Sequence, residues 1–384
     1  MINYGKQSID RKDIKAVTDT LESDWLTQGP KVEEFEKAIA DYCGSKYAVA
    51  VCNGTVALHL ANLAIGTDTA TNVITTPVTF LATANSVIYA GGRPVFTDII
   101  DGLLTLDPEK VEGLIGSETG FKGIIPVHLG GVLCDMDSLK NIANKNNLWI
   151  IEDACHSLGG KWVDESGKIQ KVGNCSHSDM SIFSFHPVKQ ITTGEGGAIT
   201  TNNKEIYKKL LALRTHGMTK DPNLLNENHG GWYYEMHELG YNYRMTDLQA
   251  ALGIEQLKKS DKWVKRRREI VSIYDQAFEN INQVSPQKHP DKNREYSYHL
   301  YIIQCKKRDE LYQCLKDNGV NTQVHYIPIH LQPYYKNKYG YGRGDYPVAE
   351  KYYDHALSLP LYPTFTDSEQ EKVISLVKQF YAKN

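Results

Sequence analysis

The chain has 384 residues, with 43 Lys and Arg against 46 Asp and Glu, so its formal charge is −3. That length predicts two domains and a substantial core, and the near-neutral balance argues against nucleic acid as a partner. Seven scattered cysteines, none in a Cys-x-x-Cys pair, predict reduced thiols in a cytoplasmic protein without a metal centre. The opening MINYGKQSIDRKD lacks the apolar core of a signal peptide, and no run reaches membrane-spanning length, so no membrane partner is expected.

Residues 11–23 predict a short helix, followed by the connector Trp25-Leu26-Thr27 and the stop signal Gly29-Pro30. Lys31 opens a second helix with Val32, Phe35 and Ile39 on one face. Residues 47–52 read as a strand, then Asn53-Gly54-Thr55, then a helix with Ala57, Leu58, Ala61 and Ile65 inward. Such a junction is either an ordinary turn capped by Thr55 or a phosphate cradle built from free amides at the positive end of a helix. Further strands are predicted over 72–76, 93–99 and 123–127, with helices over 81–89 and 135–146. Alternation of this kind means an α/β fold with a parallel sheet and right-handed crossovers. His128, after the 123–127 strand, reads as structural.

The apolar run 148–151 is a buried-strand pattern with Glu152-Asp153 at its carboxyl end, where open α/β sheets bind ligands. The stretch SIFSFHPVKQITTGEGG at 181–197 alternates as a strand, is stopped by His186-Pro187, and places Lys189 just before a Gly-rich turn. A lysine held there and partly desolvated suits a Schiff-base amine. An aspartate on one strand end and a lysine on another suit pyridoxal phosphate, whose ring nitrogen needs a carboxylate. His156, three residues past Asp153, is read either as an orienter of that carboxylate or as a partner for the ring face.

Beyond residue 200 the chain carries a loop rich in turn formers over 220–231, then Thr246-Asp247 capping a long helix that continues past Arg268. Its basic run, Lys258 to Arg268, reads as a solvated face connecting two domains. A Pro-, Lys- and Asn-rich linker over 282–295 precedes a smaller α+β domain. That domain has predicted strands over 297–305 and 323–327, a helix over 308–318, and a last helix opened by the capping box Thr366-x-x-Glu369.

Five motifs occur in order: GTVALHLA (54–61), TTPVTFLATANSV (75–87), IEDACHSLG (151–159), FSFHPVKQITTGEGGAI (183–199) and GYNYRMTDLQAALG (240–253). Together they resemble the DegT/StrS family of sugar-nucleotide aminotransferases, and the likeness covers nearly the whole chain. SYHLY (297–301) and QVHYIPIHLQPYY (323–335) are most similar to the branch serving pseudaminic-acid biosynthesis. The resemblance implies the fold-type I architecture of pyridoxal-phosphate-dependent transferases. In it a mostly parallel central sheet has helices on both faces, with a smaller C-terminal α+β domain. The expected division is a large domain over 1–245, a connecting helix and linker over 246–290, and a small domain over 291–384. It implies pyridoxal 5′-phosphate as cofactor, with Lys189 catalytic, Ser184 adding a hydroxyl to the phosphate, and Phe80 over the ring. Gly54, Thr55, Asp153 and His156 complete the cofactor set, and Asn242 reaches the cofactor of a neighbouring subunit in a shared-site homodimer. Tyr4, Trp25, Leu26, Thr27, His325 and Tyr326 are expected near a UDP-sugar, with L-glutamate as amino donor. Amination at another carbon or on a GDP- or dTDP-linked sugar, and a non-catalytic regulatory role, are the competing expectations.

Overall fold

The computed structural model describes residues 1–288 and 293–383. Seven strands form the central sheet: β1 Tyr47–Val51, β2 Asn72–Thr75, β3 Arg93–Phe96, β4 Phe121–Ile125, β5 Trp149–Asp153, β6 Met180–Ser184 and β7 Gly197–Thr201. Their order is β1-β7-β6-β5-β4-β2-β3. From β3 to β6 all neighbours are parallel, whereas β7 is antiparallel to both β6 and β1. Parallel neighbours need a long crossover. The stretch 185–196 between β6 and β7 forms no crossover helix, so the chain turns straight back, and Lys189 sits in that turn.

Side chains alternate across the pleat. Ala50, Ile74, Ile124, Ile150 and Phe183 pack with Phe35 and Ile39 of helix Pro30–Cys43 and Leu139 of helix Met136–Asn146. Val51, Val73, Ile125, Ile151 and Ile182 pack on the other face with Leu58 and Ala61 of helix Gly54–Ala64 and Val87 of helix Leu81–Tyr89. Both faces are thus covered, as buried parallel strands require.

The first helix is Arg11–Leu21, closed at its start by a reciprocal capping box between Asp10 and Asp13. Helix Pro30–Cys43 follows the buried Asp247 carboxylate, which accepts from the amides of Gly29 (2.5 Å), Lys31 (2.8 Å) and Val32 (3.1 Å). The long helix expected after Thr246 is two helices, Asp247–Leu257 and Ser260–Phe278, broken at Lys258-Lys259. Nor is its basic run all solvated. Arg267 is fully buried, and Lys259 reaches Asp10 and Asp13 at 2.7 Å each. A charged side chain inside a fold has to be paired or hydrogen-bonded, and Arg267 donates to the carbonyls of Tyr298, His299 and Leu361.

An antiparallel three-stranded sheet, Val284–Pro286, Tyr301–Cys305 and Ala356–Leu359, packs with helices Arg308–Asp317 and Asp367–Lys383 around a second core that takes in Ile2, Ile270 and Tyr274. Part of the expected 282–295 linker is therefore a strand, and its residues 289–292 lie outside the described residues. The strand expected over 323–327 is a single bridge from Gln323 to Ser358. The Thr366/Glu369 capping box is present, with Thr366 Oγ1 accepting from Glu369 N at 3.2 Å. Among the described residues no helix is long and apolar enough to cross a membrane.

Candidate active site

A cavity of about 440 Å³ opens where β5 and β6 end, and Lys189, Asp153, Gly54, Thr55 and Ser184 line it. Phe80, His156, Tyr4, His325 and Tyr326 line it as well. The sheet explains the gathering: adjacent parallel strands deliver their carboxyl-end residues to one edge, and helix Gly54–Ala64 starts at the same edge.

Asp153 is the last residue of β5 and only 5 % exposed. Its Oδ2 accepts from Thr83 Oγ1 at 2.6 Å, and its Oδ1 from the Cys155 amide at 3.2 Å. Thr83 in turn lies 2.7 Å from Thr79 Oγ1. Among the described residues no cation pairs with this buried carboxylate. Lys189 is half-buried in the β6–β7 turn, its amide donating to His186 O at 2.9 Å. Burial pulls its amine below the ordinary lysine value, while Cys155 and Asp153 push it back up, so the amine is poised nearer neutrality than a surface lysine.

Asn53, not Thr55, caps helix Gly54–Ala64, its side chain accepting from Val56 N at 3.0 Å. That leaves Thr55 and Gly54 on the cavity wall at the positive helix end. A Cβ on Gly54 would stand 2.9 Å from Ser184 Cβ and 3.2 Å from its Oγ, so only glycine lets the Ser184 hydroxyl approach.

His156 makes no hydrogen bond to Asp153. Its Nδ1 accepts from Gly130 N at 3.2 Å, and its Nε2 lies 3.3 Å from the Tyr326 hydroxyl. The geometry thus gives it a place on the cavity wall but not the expected contact with that carboxylate. Burial, then the charge on Lys189, hold it far below the usual histidine range, so it is neutral. Phe80 and Tyr326 meet at 5.8 Å, and Tyr4 and His325 at 5.3 Å, between ring centres. His325 Nδ1 is fixed to Ser358 Oγ at 2.8 Å, and burial lowers its pKa to about 3. His128 sits behind the site, 3.1 Å from Glu152. Burial opposes its charge, but Cys134 and Glu152 win and raise it to about 10, a buried pair beneath the cavity.

Trp25, Leu26, Thr27 and Asn242 do not line the cavity. Leu26 and Thr27 are tied to Asp247 N and Thr246 through the backbone, and Asn242 is bridged to Thr215 on an exposed stretch. Thr83 and His299 are among the residues of the site that were not singled out in the sequence. Thr83 carries the signal of standing one turn after Phe80 within a quoted motif. His299 stands inside SYHLY, and its Nε2 lies 3.5 Å from Lys189 Nζ.

A family model, DegT/DnrJ/EryC1/StrS aminotransferase family, matches residues 7–378. The chain is 42% identical over 383 residues to the spore coat polysaccharide biosynthesis protein SpsC of Bacillus subtilis (strain 168), covering 98% of this chain and 96% of that one. It is 42% identical over 370 residues to the UDP-4-amino-4,6-dideoxy-N-acetyl-beta-L-altrosamine transaminase of Campylobacter jejuni subsp. jejuni serotype O:23/36 (strain 81-176), covering 94% and 93%. Among solved structures it is similar to Helicobacter pylori PseC, described as an aminotransferase involved in the biosynthesis of pseudoaminic acid. That match has a TM-score of 0.91, 30% identity and coverage of 100% of both chains.

Proposed function

We infer the reaction from one premise: the chain belongs to the DegT/DnrJ/EryC1/StrS aminotransferase family. It is a nucleotide-sugar aminotransferase whose cofactor is pyridoxal 5′-phosphate. The residues present fit that group. Asp153 is a buried carboxylate that forms no ion pair among the described residues, which matches a protonated ring nitrogen. Gly54, Thr55 and Ser184 offer a helix end and a hydroxyl for the phosphate, and Lys189 supplies an amine in the same cavity. Phe80 and His156 offer ring faces.

Bound there, pyridoxal phosphate supplies the electron sink for charge left on a carbon that loses its proton beside the transferred amine. Lys189 Nζ takes the proton from Cα of the amino donor, and in the second half delivers a proton to the sugar carbon that receives nitrogen. Burial keeps a neutral fraction of Lys189 available for the first of these steps. Asp153 would be the residue that meets the ring nitrogen, and Thr83 holds its carboxylate in place. Phe80 and Tyr326 help to exclude water from the cavity.

The specific reading is that L-glutamate gives its amino group to the 4-keto group of a UDP-linked 2-acetamido-2,6-dideoxy sugar. The products are 2-oxoglutarate and the 4-amino sugar of the pseudaminic-acid route, with Tyr4, His325 and Tyr326 facing the sugar nucleotide. The 42% identity to the Campylobacter transaminase over 370 residues carries this reading. The test is to incubate the purified protein with L-glutamate and UDP-, GDP- and dTDP-linked 4-keto sugars, following 2-oxoglutarate and the amino sugar. We expect the UDP-linked N-acetyl sugar to be aminated fastest, with the two products in equal amounts. Much faster amination of a GDP- or dTDP-linked sugar overturns the substrate while leaving the family in place.

A further inference from the structure

His299 stands where the small-domain chain meets the Lys189 turn. Its ring is 4 % exposed, and its Nε2 lies 3.5 Å from Lys189 Nζ. Among the described residues this is the hydrogen bond of that amine. The contact is built from several sides. Tyr298, with φ of 46°, interrupts the alternation expected of a strand and turns the next residue toward the large domain. Ser297 Oγ donates to His156 O at 3.2 Å, and Gln190, next to Lys189, donates to both His156 O and Ser297 Oγ. Leu300 N donates to Gly130 O at 3.1 Å. Gly131, at φ of 93°, faces this segment, and a Cβ there would stand 2.8 Å from His156 O and 3.0 Å from His299 N. Any larger residue would push the His299 segment away from the cavity.

We propose that His299 is a positioning residue for Lys189: its Nε2 accepts a hydrogen bond from Nζ and so fixes which side of the amine meets the cavity. Nζ is tetrahedral, and one of its positions is committed to the imidazole. The others are left for the proton and carbon that the reaction exchanges. A neutral imidazole that accepts at Nε2 carries its hydrogen on Nδ1. His299 Nδ1 is buried and has no partner among the described residues, so the contact with Lys189 is the hydrogen bond of this ring, and His156 packs beside it at 4.4 Å between ring centres. Its surroundings keep it neutral. Burial comes first, followed by Lys189, His156, Arg267 and His325, and Arg267 donates to the His299 carbonyl at 3.3 Å. Asp153 and Cys155 are the other ionisable groups acting on Lys189. When Lys189 carries the extra proton, an accepting Nε2 stabilises the ammonium, so loss of His299 lowers the amine's pKa further.

This inference rests on Lys189 being the reactive amine, and its test is read without turnover. In the full-length, cofactor-free protein, the rate at which trinitrobenzenesulfonate labels Lys189 is followed by mass spectrometry across pH, because only the neutral amine reacts. His299→Leu should move the midpoint down by about one to two pH units, the worth of a hydrogen bond to a charged group. His299→Gln, whose amide oxygen can still accept, should stay closer to the wild type. An unchanged or raised midpoint in His299→Leu, or an equal drop in both variants, overturns the proposal. If the variants do not fold, ¹⁵N-histidine spectra of the wild-type protein decide: a His299 tautomer protonated on Nδ1 is expected, and one protonated on Nε2 overturns it. A Lys189→Ala protein that still turned over would remove the catalytic reading above, yet leave this measurement standing.

Discussion

Asp153 and Thr83 show how a single carboxylate is prepared. Thr83 Oγ1 reaches Oδ2 at 2.6 Å and the Cys155 amide reaches Oδ1 at 3.2 Å, so the orientation is set before any ligand arrives. Asp153→Asn keeps the size and the bond from Thr83 but removes the charge. We expect kcat to fall on the order of a hundredfold to a thousandfold, as when an electrostatic stabiliser is lost from a dry site, with a much smaller change in cofactor affinity. Stopped-flow kinetics and equilibrium binding of pyridoxal phosphate separate the two. Unchanged kcat with weakened binding would make Asp153 an anchor only. Lys189 and Asp153 were legible in the sequence because each follows an apolar strand run, and strand ends share an edge. Thr83 and His299 were not, because their partners come from other elements: a threonine inside a helix and a histidine inside an alternating run look the same whether or not a carboxylate or an amine lies beyond.

The element that matters most is the turn between β6 and β7, with the helix start at Gly54 facing it. Strand–helix alternation over 47–153 made the parallel part of the sheet readable, since period-2 burial and capping residues are local. The break at Lys258-Lys259 was hidden, because helix propensity continues across it, and what settles it is the pairing of Lys259 with Asp10 and Asp13 from the first helix. Burial of Arg267 carried a local signal, the helical spacing that sets it on one face with Trp263, Val264, Ile270, Val271 and Tyr274, but the basic run around it masked that spacing. Gly54 offers an element-scale test. An added Cβ would stand 2.9 Å from Ser184 Cβ, so Gly54→Ala must shift either the helix start or the strand end. Cofactor binding should weaken at least about tenfold, equivalent to about 1.4 kcal/mol, measured by titrating the cofactor-free protein with pyridoxal phosphate. Wild-type affinity in this variant would mean that the phosphate is held elsewhere.

At the scale of the whole molecule, the cavity of one chain leaves Asn242 outside, exposed, on a segment that also displays Trp232 at 75 % and Leu239 at 76 % exposure. We propose that this segment faces a second copy, so that Asn242 meets the phosphate at the partner's site while Lys189 serves its own. A closed two-fold pair gives two equivalent sites from one contact. Asn242→Asp would set a carboxylate against a phosphate and weaken cofactor binding by like-charge repulsion, whereas Lys189→Ala fails through loss of the amine. The two variants, unfolded and refolded together in equal amounts, form hybrids in half of the dimers if subunits mix at random. Each hybrid then has one site with both defects and one with neither, so activity should recover to about a quarter of the wild-type value. Hybrid formation is established first by a tag on one variant, recovered together with its untagged partner. Tagged hybrids no more active than the parents would place Asn242 and Lys189 at the same subunit's site and end the shared-site arrangement.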